Sequence, residues 1–124
     1  MFIKRLVAVC CGGFFGGIIR ETIELCLQTK MPMGTFIINV TGCFMSAAMV
    51  VLLAHRWTNL SQITVDFIMV GILGAYTTYS TAVLEIVKLG SIFPAAVYII
   101  VSIVGGVLAV FLGRLVAWRL VSDR

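Results

Sequence analysis

The stretch Gly71-Ile72-Leu73-Gly74-Ala75-Tyr76-Thr77-Thr78-Tyr79-Ser80-Thr81 places six consecutive hydroxyl-bearing residues inside a segment, residues 63–87, that is otherwise largely apolar. Hydrocarbon offers no hydrogen bonds, so such a cluster in a membrane span must find partner groups or face a polar path. Gly71 and Gly74 precede the hydroxyls, and the backbone can bend or unwind there. Function is expected at this point of the chain.

The surrounding sequence sets the class. Of 124 residues, 61% are apolar or aromatic and only 11% are charged. Mean hydropathy is +1.15. A soluble domain of this size needs more polar surface than that, so an integral membrane protein is expected. A helix crossing the hydrocarbon takes about 20 apolar residues. Four stretches meet that length: residues 3–27, 33–54, 63–87 and 93–116. Residues 1–124 are therefore read as a single four-helix transmembrane unit. A cleavable signal peptide is not expected, because the first stretch is long and carries Arg20 and Glu21 near its far end.

The net charge is +4. Four crossings put both termini on one side, where Lys4, Arg5, Arg56, Arg114, Arg119 and Arg124 gather. The other side holds Lys30 and Lys88, with Arg20 near that interface. The positive-inside rule then favours cytoplasmic termini. These charges are scattered over helix ends, so no nucleic-acid surface is read from them. The cysteines, Cys10, Cys11, Cys26 and Cys43, form no C-x-x-C pair and are read as free thiols acting as small hydrophobes.

Small residues recur at helical spacing. Gly12, Gly13, Gly16 and Gly17 in the first helix, Gly42 and Ser46 in the second, and Gly105, Ala109 and Gly113 in the fourth allow close helix approach. Pro32 and Pro94 stand near helix starts, where a missing N–H costs little. Trp57 and Trp118 suit interfacial anchoring, and His55 is expected to be solvated in a short loop. Thr35, Asn39, Gly42 and Ser46 share one face of the second helix. Asn39 reads either as interhelical glue or as a donor to a permeating anion. Tyr98, Ser102 and Gly106 form a similar stripe in the fourth helix. Four helices enclose no aqueous route unaided, so a dimer or larger assembly is expected.

Three segments match a known pattern. Gly12-Gly13-Phe14-Phe15-Gly16-Gly17-Ile18-Ile19-Arg20 resembles the glycine-rich first helix of the Fluc/CrcB fluoride channels. Gly34-Thr35-Phe36-Ile37-Ile38-Asn39-Val40-Thr41-Gly42 resembles their second-helix motif, G-T-x-x-x-N-x-x-G. Residues 71–81 resemble their third-helix signature, G-x-x-G-x-x-T-T-F-S-T-F. The resemblance implies four transmembrane helices with the third broken near its middle. It implies an antiparallel, dual-topology dimer with two narrow fluoride pores, multi-pass in the bacterial inner membrane. It further implies a structural Na+ at the dimer centre, held by the backbone carbonyls of Gly74 and Thr77. Pore residues implied on this chain are Asn39, Tyr79, Ser80, Thr81, Tyr98 and Ser102, with Arg20 and Glu85 at the vestibule. Arg20 reads equally well as a salt-bridge partner of Glu21 or Glu24.

The chain departs from the pattern at one place. The family usually carries two phenylalanines, three residues apart, whose positive ring edges line the ion path. Here Tyr79 and Ala82 stand at those positions. Either hydroxyls and Tyr79 suffice in a homodimer, or an oppositely oriented homologous subunit supplies the missing ring. The charge asymmetry favours the heterodimer.

Two other classes compete with a channel. A small four-helix drug/proton antiporter would need a deeply embedded carboxylate, whereas Glu21, Glu24, Asp66 and Glu85 flank their helices. A non-conducting scaffold subunit leaves the hydroxyl cluster unexplained. No nucleophile–base constellation supports an enzyme.

Overall fold

The computed structural model describes residues 1–27 and 32–123. Lys30 and Arg124, two of the cations counted above, lie outside the described residues. Within them the chain is helical, with α1 (Phe2–Cys26), α2 (Met33–His55) and α6 (Ile92–Ser122) continuous. The third span, Gln62–Lys88, is built of pieces. These are α3 (Gln62–Val65), a π-helical segment (Asp66–Leu73), α4 (Gly74–Tyr76) and α5 (Ser80–Lys88). Four helical stretches are long and apolar enough to cross a membrane, as expected.

Local chemistry accounts for the ends. Pro32 precedes α2, where its carbonyl accepts the Phe36 N–H at 3.2 Å. Ser61 caps α3 through its side chain, which accepts the Thr64 N–H at 3.2 Å. Gly90 turns the chain between α5 and α6 at φ 62°, a conformation that a Cβ would oppose. The helix α6 runs to Ser122, six residues past the expected end. Ala117-Trp118-Arg119-Leu120-Val121 contains no breaker, so the helix continues beyond the apolar run. Its 31 residues span about 46 Å, more than the roughly 30 Å of hydrocarbon.

The helices associate in two pairs, α2 along α6 and α1 along the first half of the third span. Glycines make both pairings possible. A Cβ at Gly12 would collide with the Phe67 carbonyl, and one at Gly16 with the Ile72 carbonyl. At Gly113 it would strike the Phe44 carbonyl, and at Gly105 it would sit 3.3 Å from Phe36 and Val40. Lipid provides no hydrophobic drive between helices, so this close backbone packing is what holds them. The second pair is closed at one end by Arg56, whose guanidinium donates to the Leu120 carbonyl at 3.1 Å. The first pair is closed by Arg5, which donates to the buried Asp66 carboxylate. Gln62 donates to the other Asp66 oxygen at 2.9 Å.

Much apolar surface is left outward. Phe14, Phe15, Val70, Ile100 and Phe111 are among many exposed large side chains, as suits lipid contact. The four cysteines are free thiols. The exposed His55 ring rests against Trp118, with centroids 4.5 Å apart.

Candidate functional site

The helix breaks where glycine ends and hydroxyls begin. Thr77 is extended, at φ −77° and ψ 150°, and α5 restarts at Ser80. The break is held from α2. Gly42 lacks a Cβ where one would strike the Thr77 methyl, so α2 comes close enough for Asn39 to reach the freed backbone. The Asn39 amide donates to the Thr78 carbonyl at 2.8 Å and accepts the Thr78 N–H at 2.9 Å.

Each hydroxyl of the cluster has an assignable fate. The buried Tyr76 ring places its hydroxyl 2.8 Å from that of Thr41. Thr77 donates back to the Leu73 carbonyl at 3.2 Å. The buried Thr78 hydroxyl donates to Thr81 Oγ1 at 3.0 Å and accepts the Thr81 N–H at 3.3 Å, capping α5. Tyr79 and Ser80 face outward, and Tyr79 is 85% exposed. Four of the six hydroxyls are thus tied up around the break, and two are left on an open face beside the exposed Gly74.

Interrupting a helix frees carbonyls. Five, on residues 74–78, have no backbone donor among the described residues. Asn39 takes that of Thr78, and Arg20 donates to that of Ala75 at 3.3 Å. Among the described residues, the carbonyls of Gly74, Tyr76 and Thr77 have no donor. Bare carbonyl oxygens are a donor set for a hard monovalent cation, so Gly74 and Thr77 fit the sodium expectation.

Beside the break lies a groove of about 830 Å³ between α2, α5 and α6. Asn39, Tyr79, Tyr98 and Ser102 line it, together with Ser46 and Ala82. Ser80 and Thr81 are not part of its wall. Thr35 shares the face of Asn39, but its side chain is wholly buried outside the groove and its hydroxyl has no partner among the described residues. The Ser102 hydroxyl is also buried, with the Tyr98 hydroxyl as its polar neighbour. Apolar groups such as Val50, Ile86, Ile99 and Ile103 fill most of the remaining wall.

Charges gather at one end of this arrangement. Arg20 pairs with Glu24 at 4.0 Å, not Glu21, besides reaching the break through Ala75. Glu85, from α5, lies within electrostatic range of Glu24 and Tyr98. One carboxylate oxygen each of Glu24 and Glu85 is buried without a hydrogen-bond partner among the described residues. The contact of Arg20 with the break and the Arg5–Asp66 pair have no counterpart among the sequence-based expectations. Residue types alone give no signal for contacts between positions 55 and 61 apart in the chain.

Comparison with known proteins follows the same line. The family model described as CrcB-like protein, Camphor Resistance (CrcB), matches residues 7–114. A fluoride-specific ion channel FluC of Acidobacterium capsulatum is 40% identical over 92% of this chain and 96% of its own. Fluoride-specific ion channel FluC 2 of Carboxydothermus hydrogenoformans is 39% identical, over 93% and 88%. FluC 1 of Nitrobacter hamburgensis is 36% identical, over 87% and 90%.

Proposed function

Because the chain belongs to the CrcB-like family, we propose that it is a fluoride-selective channel, or one subunit of such a channel, through which fluoride leaves the cell passively. The observation that carries this is the groove wall: uncharged donors, the Asn39 amide and the Tyr98 and Ser102 hydroxyls, stand in an apolar trough. The names of the relatives, fluoride-specific ion channels, agree with it.

Fluoride is small and strongly hydrated, so a pore must replace its water with donors at close range. Hydroxyl and amide groups do this without a fixed charge. An ammonium or guanidinium in the same place would hold the anion too firmly for conduction, which needs moderate, multi-site binding. Ser102, Tyr98 and the second N–H of the Asn39 amide form such a series along the groove, with Ser80 and Thr81 beyond the break. Arg20 raises the local anion concentration at the mouth, and Glu85 borders it.

The whole chain, residues 1–124, acts as one subunit in the cell's inner membrane. Its open groove and the outward Tyr79 and Ser80 are completed by a second, antiparallel subunit. A structural Na+ fits on the dimer axis, with carbonyls of Gly74 and Thr77 from each subunit as ligands. The partner is either a second copy or a homologous chain of opposite orientation. The cation-rich end that holds the termini favours the latter.

Expression in bacteria stripped of their own fluoride exporters tests the assignment. Growth in millimolar fluoride should return with this chain, alone or with an oppositely oriented homologue. Continued fluoride sensitivity in both cases would contradict it.

A further inference from the structure

In an unbroken helix the Gly74 carbonyl would accept the Thr78 N–H, and the Thr77 carbonyl the Thr81 N–H. Neither bond forms, because side chains take both donors. The Thr78 N–H goes to Asn39 Oδ1 at 2.9 Å, and the Thr81 N–H to Thr78 Oγ1 at 3.3 Å. Asn39 Nδ2 also donates to the Thr78 carbonyl at 2.8 Å, so one amide satisfies both backbone groups of one residue. Leucine can make neither bond, and aspartate lacks the donor.

We infer that Asn39 and Thr78 are positioning residues for a cation site: by diverting two N–H groups they keep the Gly74 and Thr77 carbonyls bare for a hard monovalent ion. Their role rests on the sodium assignment proposed above. It gives Asn39 a task apart from contact with the permeating anion. Groove and cation site are then coupled through one side chain, since Asn39 also lines the groove. Two neighbours assist without competing. Arg20 occupies the Ala75 carbonyl at 3.3 Å, and Thr77 Oγ1 turns back to Leu73 at 3.2 Å, so neither caps Gly74 or Thr77.

The test pairs two readouts on the full-length protein in detergent micelles. The first is the ¹³C shifts of Thr77, which distinguish extended from helical backbone. The second is the Na+ concentration giving half-maximal thermal stabilisation, with N-methylglucamine replacing Na+ at constant ionic strength. Asn39→Leu and Thr78→Val should move Thr77 toward helical shifts and raise the Na+ midpoint at least about tenfold, which a loss of about 1.4 kcal/mol in affinity produces. Thr78→Ser keeps the capping oxygen and should stay within about twofold of the wild type. An extended Thr77 with a wild-type Na+ midpoint in both variants would overturn the inference. A wild-type protein indifferent to Na+ would instead defeat the sodium assignment, while the Thr77 shifts still decide whether Asn39 and Thr78 hold the break.

Discussion

Gly71, in the π-helical segment, meets Gly12 of α1 so closely that a Cβ built on Gly71 would stand 2.8 Å from the Gly12 Cα. No flexible side chain is available there to yield, because both neighbours are backbone. Gly71→Ala should therefore separate α1 from the third span, at about 1–3 kcal/mol of overpacking. Gly13→Ala, whose nearest neighbour is the Ala75 methyl at 3.9 Å, should be neutral. Thermal unfolding in detergent checks the pair. Equal melting temperatures would show that the close approach is not needed.

Asp66 is almost buried at the start of the third span, and Arg5 is the cation beside it. Removing only the cation strands the carboxylate, which is worse than removing both charges. Arg5→Ala should lower the melting temperature, and Arg5→Ala with Asp66→Asn should recover roughly half or more of the loss. A double variant less stable than the single one would contradict this arrangement of charges.

Ala82 lines the groove with Tyr79, at the second of the two positions where the resembled motif has phenylalanine. Ala82→Phe adds a ring whose positive edge can face the anion. If the missing ring limits the homodimer, this substitution should raise fluoride flux severalfold in vesicles containing this chain alone. Unchanged flux would mean that the hydroxyls and Tyr79 suffice.

Cys26 ends α1 on the side away from the termini and is exposed. In a variant with Cys10, Cys11 and Cys43 replaced by alanine, it reports orientation. With the termini cytoplasmic, as the lysine and arginine placement favours, a membrane-impermeant maleimide should label Cys26 from outside only. Equal labelling from both faces would establish dual insertion and favour the homodimer.

The spans were legible because hydropathy and length are additive along a sequence, and three of the four ended within a residue or so of their expected limits. The break was legible because Gly71, Gly74 and a hydroxyl run conflict with an unbroken lipid-facing helix. Less accessible was its manner. Nothing in Asp66-Phe67-Ile68-Met69-Val70 signals π-helical winding, which comes with packing against Gly12 and Gly16. The end of α6 was placed early because hydropathy falls at Arg114 and Arg119, although helix propensity does not. At the site, the polar stripes of α2 and α6 contain Asn39, Tyr98 and Ser102, and the structure brings these three to one groove. Those stripes could not show that the Asn39 amide grips Thr78, 39 residues away, since side-chain pairing across helices leaves no periodic trace.

Fluoride efflux from liposomes, followed with a fluoride electrode and with chloride as the control anion, bears most directly on the channel itself. Vesicles containing this protein, alone or with an oppositely oriented homologue, should release fluoride rapidly and retain chloride, and Asn39→Ala should sharply slow the release. Fluoride retained in both preparations, or chloride released as fast as fluoride, would contradict a fluoride-selective pore.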